Sequence, residues 1–103
     1  MSQEWSEQFR LAAKDWVAKD AAANLLEETK SACLSQMMMA CGDMPVSRAE
    51  MQTKASPEWK DFIGSMVKAR EDANLAKVKC EYVRMKFSEW QSAEANARSE
   101  RRI

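Results

Sequence analysis

The sequence predicts an all-α protein: a long antiparallel helical hairpin, with helices over about residues 3–41 and 57–97 and a short helix in the connection. Three observations predict it. Only two of the 103 residues are Gly and two are Pro, so few tight turns are available, which points to long helices rather than a sheet protein. Apolar residues recur at alternating steps of three and four through both halves of the chain. A single clear stop, Gly42-Asp43-Met44-Pro45, lies between those halves. The length fits one domain over 1–103.

The first helix carries Trp5, Phe9, Ala12, Trp16, Ala23, Leu26, Cys33, Met37 and Ala40 on one stripe, with Lys19 and Lys30 interrupting it. Long lysine stems can lie along such a seam and carry their charge outward. Ser2 is the expected N-cap, with Glu4 and Glu7 near the positive end of the helix dipole. Gly42 is the expected stop, because it can adopt the left-handed conformation at a helix end.

In the connection, Ser47-Arg48-Ala49-Glu50 has capping-box spacing and predicts a short helix over about 47–53. Ser56-Pro57-Glu58 then combines a capping Ser, Pro at the first helical position and an acid in the first turn. The second helix has the cleaner stripe: Trp59, Phe62, Met66, Ala69, Ala73, Ala76, Cys80, Val83, Phe87 and Trp90. Gly64 inside it costs roughly 1 kcal/mol relative to Ala, too little to end so periodic a helix. Beyond Ala93 the stripe fades, and residues 98–103 are expected to fray.

Composition narrows the function. Sixteen basic residues balance sixteen acidic ones, which argues against a large nucleic-acid footprint. The absence of His removes the commonest acid/base group and metal ligand, so neither a metal nor another cofactor is expected. Cys33, Cys41 and Cys80 are odd in number and widely spaced, and read as reduced packing residues. The start lacks the basic and apolar regions of a secretory signal, and the longest apolar run, Met37 to Cys41, is far short of a membrane span. These features point to the cytoplasm. Glu27-Glu28 and Glu71-Asp72 read as solvated helix faces rather than a catalytic pair, and no Gly-rich phosphate loop is present. The chain is expected not to be an enzyme.

Two helices bury one stripe each, and apolar residues are left over: Leu11, Val17, Leu25, Leu34, Met38, Ile63, Val67, Val78, Tyr82 and Met85. That surplus predicts a homodimer, closing a four-helix bundle, with Val78, Tyr82 and Met85 in self-association. Met38, Met39 and Met44 surround the turn as an adaptable partner-binding surface, since methionine is flexible and polarizable. Residues 61–103 hold nine basic against seven acidic groups. Within them Lys77, Lys79, Arg84, Lys86, Arg98, Arg101 and Arg102 are the residues a nucleic acid would use, diluted by Glu81, Glu89 and Glu94.

Ser56-Pro57-Glu58-Trp59, the run from Ala73 to Lys79, the run from Tyr82 to Trp90 and the closing Ala97 to Arg102 resemble small phage and prophage proteins encoded near recombination or replication genes. The resemblance covers the C-terminal half and brings no assigned activity or catalytic residues. It implies a bacterial host cytoplasm and an accessory role in phage DNA metabolism. The Trp-x-Gly turn of secreted bacterial helical hairpins is absent. Two functions follow as expectations. The first is a dimeric protein that binds an unidentified phage or host protein; the second is a DNA-binding accessory factor in recombination or replication.

Overall fold

The computed structural model describes residues 2–101, with side chains from Glu4 to Arg101. Its described residues form four helices, α1 (Ser2–Glu28), α2 (Lys30–Ala40), α3 (Val46–Lys54) and α4 (Pro57–Arg101). The all-α class is the one the periodicity predicts.

The boundaries differ from expectation at several places. Helix α1 begins at Ser2 itself, so Ser2 is a helical residue and not the cap before the helix. The expected single helix over 3–41 is divided at Thr29, whose φ of −91° and ψ of 0° depart from the helical mean. The Thr29 hydroxyl donates to the carbonyls of Leu25 (2.8 Å) and Leu26 (3.3 Å). Such back-bonding competes with the backbone ladder and bends helices. Backbone bonds from Thr29 N–H to Leu25 O and from Cys33 N–H to Thr29 O still carry the chain through.

The turn behaves as the glycine predicts. Cys41 closes α2 with its N–H on the Met38 carbonyl, and Gly42 then takes φ +88°. Helix α3 starts a residue earlier than expected, after Pro45, so Ser47 lies inside it and the Ser47/Glu50 capping box does not form. Glu50 instead pairs with Lys54 at 2.8 Å. The Ser56 cap does form, with Trp59 N–H donating to Ser56 Oγ at 3.2 Å. Helix α4 passes Gly64, where a Cβ would meet open space, and continues to Arg101, four residues past its expected end. Arg98 to Arg101 are therefore helical; Arg102 and Ile103, the rest of the tail expected to fray, lie outside the described residues.

The chain forms two compact units. The terminal unit comprises Met1–Lys19 with Asp72–Ile103, and the turn unit comprises Asp20–Glu71. In the terminal unit α1 lies antiparallel to α4 along the predicted stripe. Ala12, Cys80 and Val83 are buried together, and Trp5, Phe9, Ala13 and Trp16 pack against them. Ala73 and Ala76 are also buried, small side chains that let two helices approach closely. Phe87 stacks on Trp90, 6.2 Å between ring centroids.

The turn unit buries Ala23, Ala49, Thr53 and Trp59. Helix α2 packs on α3. The Cys41 thiol lies 3.5 Å from Thr53 Oγ1 and 3.5 Å from the Met37 carbonyl, joining the end of α2 to α3. Thr53, at 3% exposed, is thereby a buried hydroxyl with a partner.

Candidate interaction surface

Helix α4 carries two apolar rows on opposite faces. In the terminal unit the inner row, Ala73, Ala76, Cys80 and Val83, is buried. The outer row is Leu75, Val78, Tyr82 and Met85, each 50–61% exposed. Its steps of three, four and three repeat the spacing of a helix seam, displaced half a turn from the first. Of the ten surplus apolar residues read from sequence, Leu11, Val17, Leu25, Val67, Val78, Tyr82 and Met85 are exposed. Leu34, Met38 and Ile63 are half-buried within their unit.

Leu75 is a member of the outer row that sequence reasoning missed. The signal was present: it stands seven residues before Tyr82, at the same position of the repeat.

In the turn unit the methionines divide. Met39 is 81% exposed, whereas Met38 and Met44 are half-buried. Val46 and Met51 on α3 are also exposed. A shallow pocket of about 260 Å³ is lined by Met37, Cys41, Thr53, Ser56 and Glu58 among others.

The basic residues do not form one stripe. Lys77 and Arg84 are seven residues apart on one edge of α4, and Lys79 and Lys86 seven apart on another. The two-residue offset between the pairs turns the helix by about 200°. Lys77 lies 5.9 Å over the Trp16 ring. Lys86 lies 5.7 Å over Tyr82 and reaches Glu89 at 3.4 Å. Arg98 donates to the Glu94 carbonyl, Arg101 ends the described helix, and Arg102 lies outside the described residues.

The strongest polar constellation is one the sequence reading passed over. In the turn unit Arg70 of α4 donates to both carboxylate oxygens of Glu27 at 2.8 Å, to Asp20 Oδ1 at 2.8 Å and to Asn24 Oδ1 at 2.6 Å. Glu27 is thus the bidentate partner of a cross-helix arginine and not simply part of a solvated face. The signal was the spacing Asp20, Asn24, Glu27, four then three, which sets three acceptors in one row on α1.

The Arg70 hydrogen bonds hold the Glu27 carboxyl below the usual carboxylate range, and the arginine is raised in turn. A depressed folded-state value means that the clamp stabilises fully above the unfolded carboxylate value of about 4.3. Its contribution is lost as pH falls through the lower folded value. Arg70→Met is therefore expected to melt below the wild type at pH 7, with the gap narrowing towards pH 3. Thermal circular dichroism across that range measures it; a gap independent of pH would show that the Glu27 carboxylate is not what Arg70 holds.

Among the described residues no group of three or more His, Cys, Asp or Glu is placed to hold a metal ion, and no helix is long and apolar enough to cross a membrane. What the fold and these surfaces define is an all-α protein with exposed apolar surface on a helix that is already packed on its other side. In comparison with known proteins, no family model, no curated protein and no solved structure matches the chain.

Proposed function

We propose that this chain is a non-enzymatic, phage-type accessory protein that works as a helical dimer and binds a phage or host protein in the bacterial cytoplasm. The observation that carries the reading is the outer row of α4. Four large apolar side chains at seam spacing stand at least half exposed on a helix whose opposite row is buried. Scattered exposed apolar residues need no explanation, but an ordered row of them marks an interface. Val78, Tyr82 and Met85 serve self-association, with Leu75 added to them. Met39, with Met38 and Met44 beside it, serves the second partner, since a methionine surface can repack against different shapes. The phage setting rests on the sequence resemblance of the C-terminal half.

DNA binding through the α4 lysines and arginines has less support, because two edges of the helix share them and Glu81, Glu89 and Glu94 lie between. Light scattering at low salt, with and without a short single-stranded DNA, tests both. A dimer indifferent to DNA is the expected result. A monomer under both conditions would overturn the dimer, and a mass that rises with DNA and falls back with salt would replace the reading by the nucleic-acid one.

A further inference from the structure

The charges bordering the outer row give the self-association a direction. We infer that two copies pair in parallel through α4, about a two-fold axis along the helix, with Glu81 of each chain meeting Lys86 of the other. This rests on the dimer proposed above and specifies its geometry.

Leu75 and Tyr82 occupy one core position of a heptad and Val78 and Met85 the other. Lys79 and Lys86 then fall along one border of the row and Glu81 along the other. Glu81 precedes Lys86 by five residues, the separation at which opposite borders of a parallel pair meet. Parallel pairing stacks each of the four apolar residues on its own copy, forms two Glu81–Lys86 pairs by symmetry, and opposes no like charges along these four layers. Antiparallel pairing sets Leu75 against Met85 and Val78 against Tyr82. It brings Lys86 near Asp72 but also Lys79 against Lys79 and Glu81 against Glu81, so its gains and losses offset.

In the single chain Lys86 lies at the border of the row. Its ammonium lies 5.7 Å over the Tyr82 ring and 3.4 Å from Glu89, at the rim of the row. Glu89, the next residue of the row, ends the apolar surface; parallel pairing sets it beside its own copy there, a like-charge contact that bounds the interface at Met85. From Leu75 to Met85 the row runs about 15 Å at the helical rise. A contact of about three helical turns is short for a coiled-coil seam, so dissociation in the micromolar range is expected.

Sedimentation equilibrium on the full chain tests the geometry. Glu81→Lys and Lys86→Glu should each weaken the wild-type dimer by roughly tenfold, since each turns two attractive contacts into repulsive ones. The double exchange Glu81→Lys/Lys86→Glu should restore most of the lost affinity, because the charges again alternate across the axis. Both positions border the surface, and thermal melts confirm that the variants stay folded. A wild-type dimer that Glu81→Lys leaves unchanged, or that the double exchange weakens further, would overturn the parallel geometry while leaving the dimer standing. A wild type that stays monomeric into the high micromolar range would remove the dimer and this geometry together.

Discussion

Trp59→Ala is expected to destabilise the protein by about 3–5 kcal/mol, the range for deleting a large buried aromatic side chain. Trp59 is 8% exposed, and its ring stacks on Phe62 with 5.6 Å between centroids. Its backbone is equally committed, since its N–H donates to Ser56 Oγ while the Ser56 hydroxyl donates to the Thr53 carbonyl at 2.6 Å. Thr53 in turn meets the Cys41 thiol. Removing the indole therefore opens space where α3 hands over to α4, beside a group of hydrogen bonds that hold the end of α2 to α3. A domain of this size has about 5–15 kcal/mol of stability, and each kcal/mol moves its melting point by several degrees. A fall of roughly 15 °C is expected by circular dichroism. Trp59→Phe should lose less, because a ring remains to stack on Phe62. A shift of only one or two degrees for the Ala variant would mean that the indole is not a core group.

Trp59 was legible in the sequence because it is the first member of an unbroken stripe and follows a strong start signal. The same local chemistry made α4, Gly42 and the all-α class readable: apolar periodicity, a capping Ser with Pro after it, and a glycine at the stop. What escaped were effects that sequence spacing does not encode. Thr29 divides the first helix through its own hydroxyl, although threonine occurs inside many helices without doing so. Ser47 had the right partner three residues on, but Pro45, with its φ already set, began α3 before the box could form. The Arg70 clamp joins residues more than forty positions apart, so only the register of the turn unit brings them together. In the outer row, Val78, Tyr82 and Met85 were visible as surplus to the predicted stripe, although apolar character alone does not say which of the two α4 rows α1 covers. Both are apolar, and burial of the one leaves the other exposed.

That last point gives the second large effect, a contrast between neighbours. Val83→Asp should destabilise the chain by more than about 3 kcal/mol, whereas Tyr82→Glu should leave its melting point within a few degrees of wild type at concentrations where the chain is monomeric. Val83 is 7% exposed and buried with Ala12 and Cys80, under the aromatic cover of Trp5, Phe9 and Trp16. A carboxylate there trades an apolar contact with Ala12 and Cys80 for a desolvated charge, and burying a charge is among the most costly single changes. Tyr82, one residue away, projects from the other face at 55% exposed, where a carboxylate keeps its water. Its cost falls on assembly, since Tyr82→Glu puts two like charges at the centre of the proposed contact and should shift the dimer to monomer at low micromolar concentration. Melting curves and sedimentation on the same two samples separate the effects. If Tyr82→Glu stays dimeric, the outer row is not the interface. If Val83→Asp melts like wild type, Val83 is not on the row that binds α1. Only when Val83→Asp loses the fold and Tyr82→Glu loses the partner does α4 serve both contacts, one with each face.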